Sequence, residues 1–171
     1  RVVGGEDIAL PGAQLDPLAT ATTGRRVETM PAGRMGGAIG RLQQDRLGHP
    51  TGITIANNLS PEVGKMATQH ELGHAVDILG TPANKPLKGG GIPVKGLSDD
   101  LKQIYDFGAT GVVKRPSQPW TTPDTAKYPK PEWRGENMAE AIRLYLANPG
   151  YLKQHHPKVA ERVRKYVNKN V

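Results

Sequence analysis

The sequence predicts an α+β domain, mainly helical, with a small sheet packed on one central helix. Three observations carry this. The stretch 60–80 has a helix start, an apolar period and a helix stop. The stretch 136–147 repeats apolar residues at helical spacing. Only 51–59 alternates β-branched residues as a strand does. A chain of 171 residues is long enough for one domain with its own core. With 36% hydrophobic residues but 21 glycines and 15 prolines, that core should be modest and wrapped in irregular chain.

Taken in order, residues 1–48 read as an irregular N-terminal arm packed on a domain of residues 49–171. Leu10-Pro11-Gly12 and Pro31-Ala32-Gly33 are turn signals, and Asp16-Pro17 opens at most a short helix. Met35–Leu47 is a candidate short helix, weakened by Gly36, Gly37 and Gly40. In the strand, Ile53 and Ile55 alternate with Thr54 and Ala56, and its exposed edge would suit an extended peptide. Ser60 then caps a helix, Pro61 fits its first position, and Gly80 with Pro82 ends it. Val63, Met66, Ala67, His70 and His74 share one face of that helix, and Leu72, Val76 and Leu79 form a second apolar stripe. Both sides should be buried.

Beyond a loop with a flexible point at Gly89-Gly90-Gly91, Ser98 caps a helix to about Phe107, with Leu101, Ile104 and Tyr105 inward. Lys114–Arg134 holds five prolines with Trp120 and Trp133, and reads as a long loop that either lines or lids a site or merely covers core surface. The helix from Glu136 to Ala147 ends at Asn148-Pro149-Gly150, and a last helix runs from Pro157 to about Val167. His155 and His156, which cannot share a helical face, read as surface residues.

The central helix carries His70-Glu71-Leu72-Gly73-His74, the pattern H-E-x-x-H. Residues four apart share a helical face, so the two imidazoles can meet one metal ion. Glu71 lies about 100° further round the helix, where it reaches a water on that ion. With no cysteine in the chain, zinc would need His, Asp or Glu ligands. A three-histidine extension would put its glycine at Asp77 and its histidine at Gly80, so that class is excluded. Asp77 is better placed to orient a ligand histidine. The remaining third-ligand candidates are carboxylates further on. Glu136 and Glu140 stand four apart, and one could bind the ion while the other steadies a ligand.

His-Glu-Leu-Gly-His-Ala-Val-Asp at 70–77 and Glu-Asn-Met-Ala-Glu-Ala-Ile-Arg-Leu at 136–144 together resemble the catalytic domain of the anthrax lethal factor-like and Pro-Pro endopeptidase family. That family carries H-E-F-G-H-A-V-D and E-F-F-A-E-A-F-R-L. The resemblance covers about 70–150. It implies a zincin-like single domain, a Zn²⁺ cofactor, Glu136 as third zinc ligand beside His70 and His74, and Glu140 as a supporting residue. It also implies a tyrosine that stabilises the oxyanion. The family places it seven residues before the ligand glutamate; here 129 is proline and Tyr128 lies eight before.

The expected activity is zinc-dependent endopeptidase cleavage of a protein or peptide, as a toxin, effector or processing protease. Glu71 would be the general base, Tyr128 the oxyanion stabiliser, and Asp77 and Glu140 the orienting residues. The rival is a catalytically silent zinc-containing structural or interaction domain, virion- or toxin-associated. A net charge of +7, concentrated in 153–169, allows nucleic-acid binding but on charge alone. No apolar run approaches the ~20 residues of a membrane span. Beginning on Arg1, the chain reads as a piece of a longer protein, secreted or delivered into a target cell.

Overall fold

The structure, a computed structural model, describes residues 14–87, 91–110 and 121–170. Among them are six α-helices and one three-stranded sheet: α1 (Leu15–Thr23), β1 (Glu28–Met30), β2 (Gly40–Gln44), β3 (Pro50–Ala56), α2 (Pro61–Leu79), α3 (Ser98–Thr110), α4 (Trp133–Ala147), α5 (Pro149–His155) and α6 (Pro157–Asn170). The fold is therefore mainly helical α+β. The turn at 10–12, the glycines at 89 and 90, and the loop segment with Trp120 lie outside the described residues.

The sheet order is β1-β3-β2, with β1 parallel and β2 antiparallel to β3. Two expectations change here. Residues 14–48 are not irregular, because they supply α1 and both outer strands. A strand of three residues and another reading Gly-Arg-Leu-Gln-Gln carry almost no alternation of their own. Their pairing with β3, not local propensity, makes them strands. For the same reason Met35–Leu47 is β2 and its turns, not a helix. The predicted strand is β3, the central one, so its edges are taken. The free edge beside α2 belongs to β2. Asp45 tightens the β2–β3 hairpin by accepting the backbone N–H of Leu47 and of His49.

α2 begins where the sequence places it, with Ser60 accepting the Val63 N–H. It packs on β2 and β3 with one side and on α4 with another. Leu72 and Val76 enter the core with Leu101, Ile104, Met138 and Ile142. The face through Val63 and Met66 is not buried, however. Those side chains are 39% and 44% exposed. The predicted stripe is apolar but opens on a cavity.

α4 starts three residues earlier than the sequence indicates, at Trp133, and ends at Ala147 as expected, but a further helix, α5, begins at once at Pro149. Asn148 instead caps α5 by accepting the Tyr151 N–H. His156 is not a surface residue. It is buried between α5 and α6, with Nδ1 2.9 Å from Asp100 Oδ1, and ties that corner to α3.

The closest approach in the fold is where α2 crosses α4. A Cβ at Gly73 would collide with the Ala139 carbonyl oxygen and lie 3.0 Å from its Cα. Backbone cannot move aside as a side chain can. Gly73→Ala should therefore destabilise the domain by ~1–3 kcal/mol, seen as a lower denaturant midpoint in chemical unfolding. An unchanged midpoint would show that the helices have room to separate.

Candidate metal centre

The crossing brings two helical faces together. On α2, His70 and His74 lie one turn apart with ring centroids 4.8 Å apart. On α4, Glu136 and Glu140 also lie one turn apart, and each is 7% exposed. Glu136 reaches both rings. Its Oε2 is 3.3 Å from His70 Nε2, and its Oε1 is 3.3 Å from His74 Nε2. His70, His74 and Glu136 thus form a group that could hold a metal ion, with donor atoms all within 4.8 Å of one another.

Those separations suit either a hydrogen bond or two ligands of one ion. Charge-assisted N–H···O bonds run about 2.7–2.9 Å. Two donors held 2.0–2.1 Å from a tetrahedral ion lie about 3.3–3.4 Å apart. Two imidazoles with one carboxylate are also a donor set suited to a borderline-soft divalent ion.

His70 is oriented from behind. Its Nδ1 lies 3.2 Å from Glu140 Oε2, and Glu140 is gripped by Arg143 through Nε and Nη2. A histidine whose far nitrogen donates to a carboxylate presents Nε2 as a lone pair, the arrangement that raises ligand basicity. Glycine at 108 makes room for this, since a Cβ there would overlap the Glu140 carboxylate. Arg143 and Gly108 are supports that sequence reading missed. Arg143 was visible as an i, i+3 partner of Glu140. Gly108 was not, because its neighbour comes from another helix.

Asp77 departs from expectation. Its carboxylate accepts the Ile92 N–H at 2.8 Å and pairs with Arg134 at 2.5 Å, rather than with a ligand histidine. It anchors the chain after α2 and the start of α4. It fixes the elements that carry the centre, and its charge also interacts with His74.

Glu71 lies beside the three donors, under β2. The Leu42 backbone N–H donates to its carboxylate. A Cβ at Gly40 would sit 2.8 Å from Glu71 Oε1, so the strand approaches the glutamate closely only because residue 40 is glycine. Burial raises the Glu71 pKa, against the pull of His74 and His70. Tyr128 comes into the same cleft. The Trp133 indole N–H donates to its carbonyl, and its own N–H reaches the Pro123 carbonyl. Lys127, immediately before it, is the one non-glycine among the described residues with positive φ (65°), a conformation the surrounding turn imposes. Burial, then Glu136 and Glu71, push the Tyr128 hydroxyl up to about 12. Tyr105, read from sequence as core alone, also faces this cleft, and burial raises its pKa.

No protein-family model, no curated protein and no solved structure matches the chain.

The charges of the metal-free centre set a pH dependence. Burial opposes a charge on His70, but Glu136 and Glu140 outweigh it and raise its pKa from 6.5 to about 10. Burial likewise opposes the Glu136 charge, but His70 and His74 lower its pKa from 4.5 to about 2. The His70 contribution is fully present below pH 6.5 and lost as pH rises through about 10. The Glu136 contribution is present above pH 4.5 and lost as pH falls through about 2. Chelator-treated protein should thus be most stable between about pH 4.5 and 6.5. Urea unfolding across pH tests this, and a stability maximum above pH 9 would contradict it.

Proposed function

We propose that the chain is a zinc-dependent endopeptidase of zincin-like architecture, related in its site to the family its two motifs resemble. The convergence of His70, His74 and Glu136, with Glu71 at their side and Glu140 behind His70, carries this reading. A bound zinc ion would polarise the scissile carbonyl and acidify the attacking water to a pKa of about 7.

The chain's own residues do the rest. Glu71 takes the water proton and returns it to the leaving amine. Its raised pKa suits both halves of that task, because the base must be charged first and an acid afterwards. Tyr128 stays protonated at neutral pH and donates to the developing oxyanion. The open edge of β2 offers main-chain groups to an extended peptide. Ile39 accepts the Ala56 N–H, so in this antiparallel ladder Gly40 turns its N–H outward, above Glu71, while that of Leu42 is held by the Glu71 carboxylate. Substrate pairing along that edge would hold a backbone across the centre. A protein or peptide substrate follows from this. Among the described residues no helix is long and apolar enough to cross a membrane. A toxin, effector or processing role fits the reading equally.

Glu71→Gln should retain zinc and lose peptide hydrolysis by roughly 10²–10⁴-fold, with metal content measured by mass spectrometry and turnover on a mixed peptide library. Tyr128→Phe should lower kcat roughly 10²–10³-fold with little change in KM. Normal cleavage by Glu71→Gln would sink the mechanism, whereas zinc without cleavage by the native chain would favour a silent zinc-containing module. Gly108→Ala should displace Glu140 from His70 and weaken zinc binding roughly 10- to 100-fold in chelator competition. Gly108→Ala with Glu140→Asp, a shorter acid, should recover part of that loss.

A further inference from the structure

α5 and α6 lie apart from the centre, and none of their residues lines either cavity that opens beside His70 and His74. From Lys153 to Lys169 the chain holds six lysines and arginines against one acid, Glu161, and so carries five of its seven net positive charges. The fold segregates them. Val159 and Val163 turn one side of α6 into the core. On the other side Lys158, Lys165 and Lys169 are exposed, and their spacing puts them within an arc of about 40°. Exposed Arg164 stands on one flank, where with Lys153 it borders a cavity of about 270 Å³. Arg162, on the other flank, donates to the Pro93 carbonyl at 2.6 Å, which holds the chain around exposed Lys95 against α6.

A face of this composition selects its partner by charge. Protein interfaces keep an apolar centre, and helices that settle into lipid insert an apolar side. Ile39, Leu47, Val63, Met66 and Tyr128, the exposed large hydrophobics among the described residues, all lie on other elements. The apolar side of α6 is already packed in the core. Single-stranded nucleic acid is held by stacking its bases on open aromatic rings. The rings of α5 are not open in that way, because Tyr151 stacks on Phe107 and His155 packs against Tyr151. What the face offers is a rigid cationic helix about 21 Å long, matched to the continuous phosphate charge of a duplex.

We infer that the α5–α6 face binds double-stranded nucleic acid through its phosphates, without regard to base sequence. Lys158, Lys165 and Lys169 make the central contacts, with Lys153 and Arg164 at the rim. Contacts of this kind fix position on a duplex and carry no sequence information. The face is separate from the cleft, so the inference does not depend on the endopeptidase reading.

Fluorescence anisotropy of the full chain with a labelled mixed-sequence DNA duplex tests this. With three to five phosphates neutralised, affinity should fall roughly 40- to 500-fold between about 50 and 200 mM salt, and a duplex of unrelated sequence should bind equally. Lys158→Ala, Lys165→Ala and Lys169→Ala together should make the slope of log affinity against log salt shallower by roughly 3. Arginine at the same three positions should keep the native slope. Arg26→Ala, Arg46→Ala and Lys65→Ala remove the same charge from exposed positions on other elements and should leave the slope unchanged. Equal losses from the two alanine sets would show attraction to net charge without a site, and would overturn the inference. Tighter binding to phosphatidylserine vesicles or to a single strand than to the duplex would overturn it as well, as would binding indifferent to salt.

Discussion

The crossing of α2 over α4 at Gly73 and Ala139 is the constraint on which the site depends. A glycine at the crossing lets one helix rest on the backbone of the other. Imidazole and carboxylate side chains are short. With a bulkier residue at 73 the axes would separate, and Glu136 could not reach both histidines at 3.3 Å. The same approach sets Glu140 behind His70. One close contact therefore fixes the two Glu136–histidine contacts and the Glu140–His70 contact together, because all of them hang from the same two rigid helices.

That packing buries charge, and buried charge is costly unless it is partnered. Glu136, Glu140, Arg143 and Asp77 are all buried. Arg143 neutralises Glu140, and Arg134 neutralises Asp77. Among the described residues Glu136 has no such cation. In the metal-free protein its cationic partners among the described residues are histidines, and that is why its pKa falls to about 2 while that of His70 climbs to about 10. A divalent ion in the same place would replace the proton and satisfy all three groups. The carboxylate left without an arginine is the one that reaches both histidines, and the two with arginines support the frame. This division of roles follows from charge compensation and needs no comparison with other proteins.

Much of α2 was legible in the sequence because its signals are local. Ser60, Pro61 and Gly80 mark its ends, and the four-residue spacing of His70 and His74 fixes their shared face. The Glu136 and Glu140 spacing was legible likewise, but which of them meets the histidine Nε2 atoms was not. That depends on the rotation of α4 against α2, a tertiary property. The outer strands were illegible, since β1 and β2 are held by pairing to β3 and carry little pattern of their own. The exposed apolar face through Met66 was legible as apolar but not as exposed. Periodicity reports what a helix face can bury, not whether a neighbour covers it.

Glycine illustrates the same limit most sharply. The 21 glycines of this chain suggest irregular structure by composition. Three of them are close-packing positions instead. Gly73 admits α4, Gly40 admits the Glu71 carboxylate beside β2, and Gly108 admits the Glu140 carboxylate beside α3. None of the three has a positive φ, so none is needed for backbone freedom. Each is needed because a Cβ would occupy space held by the centre or by its supporting helix. Glu71, Glu140 and the helix crossing each face a missing side chain. This close packing acts together with the Arg143 and His70 contacts of Glu140, so the fold can hold both carboxylates beside a solvent-open cleft.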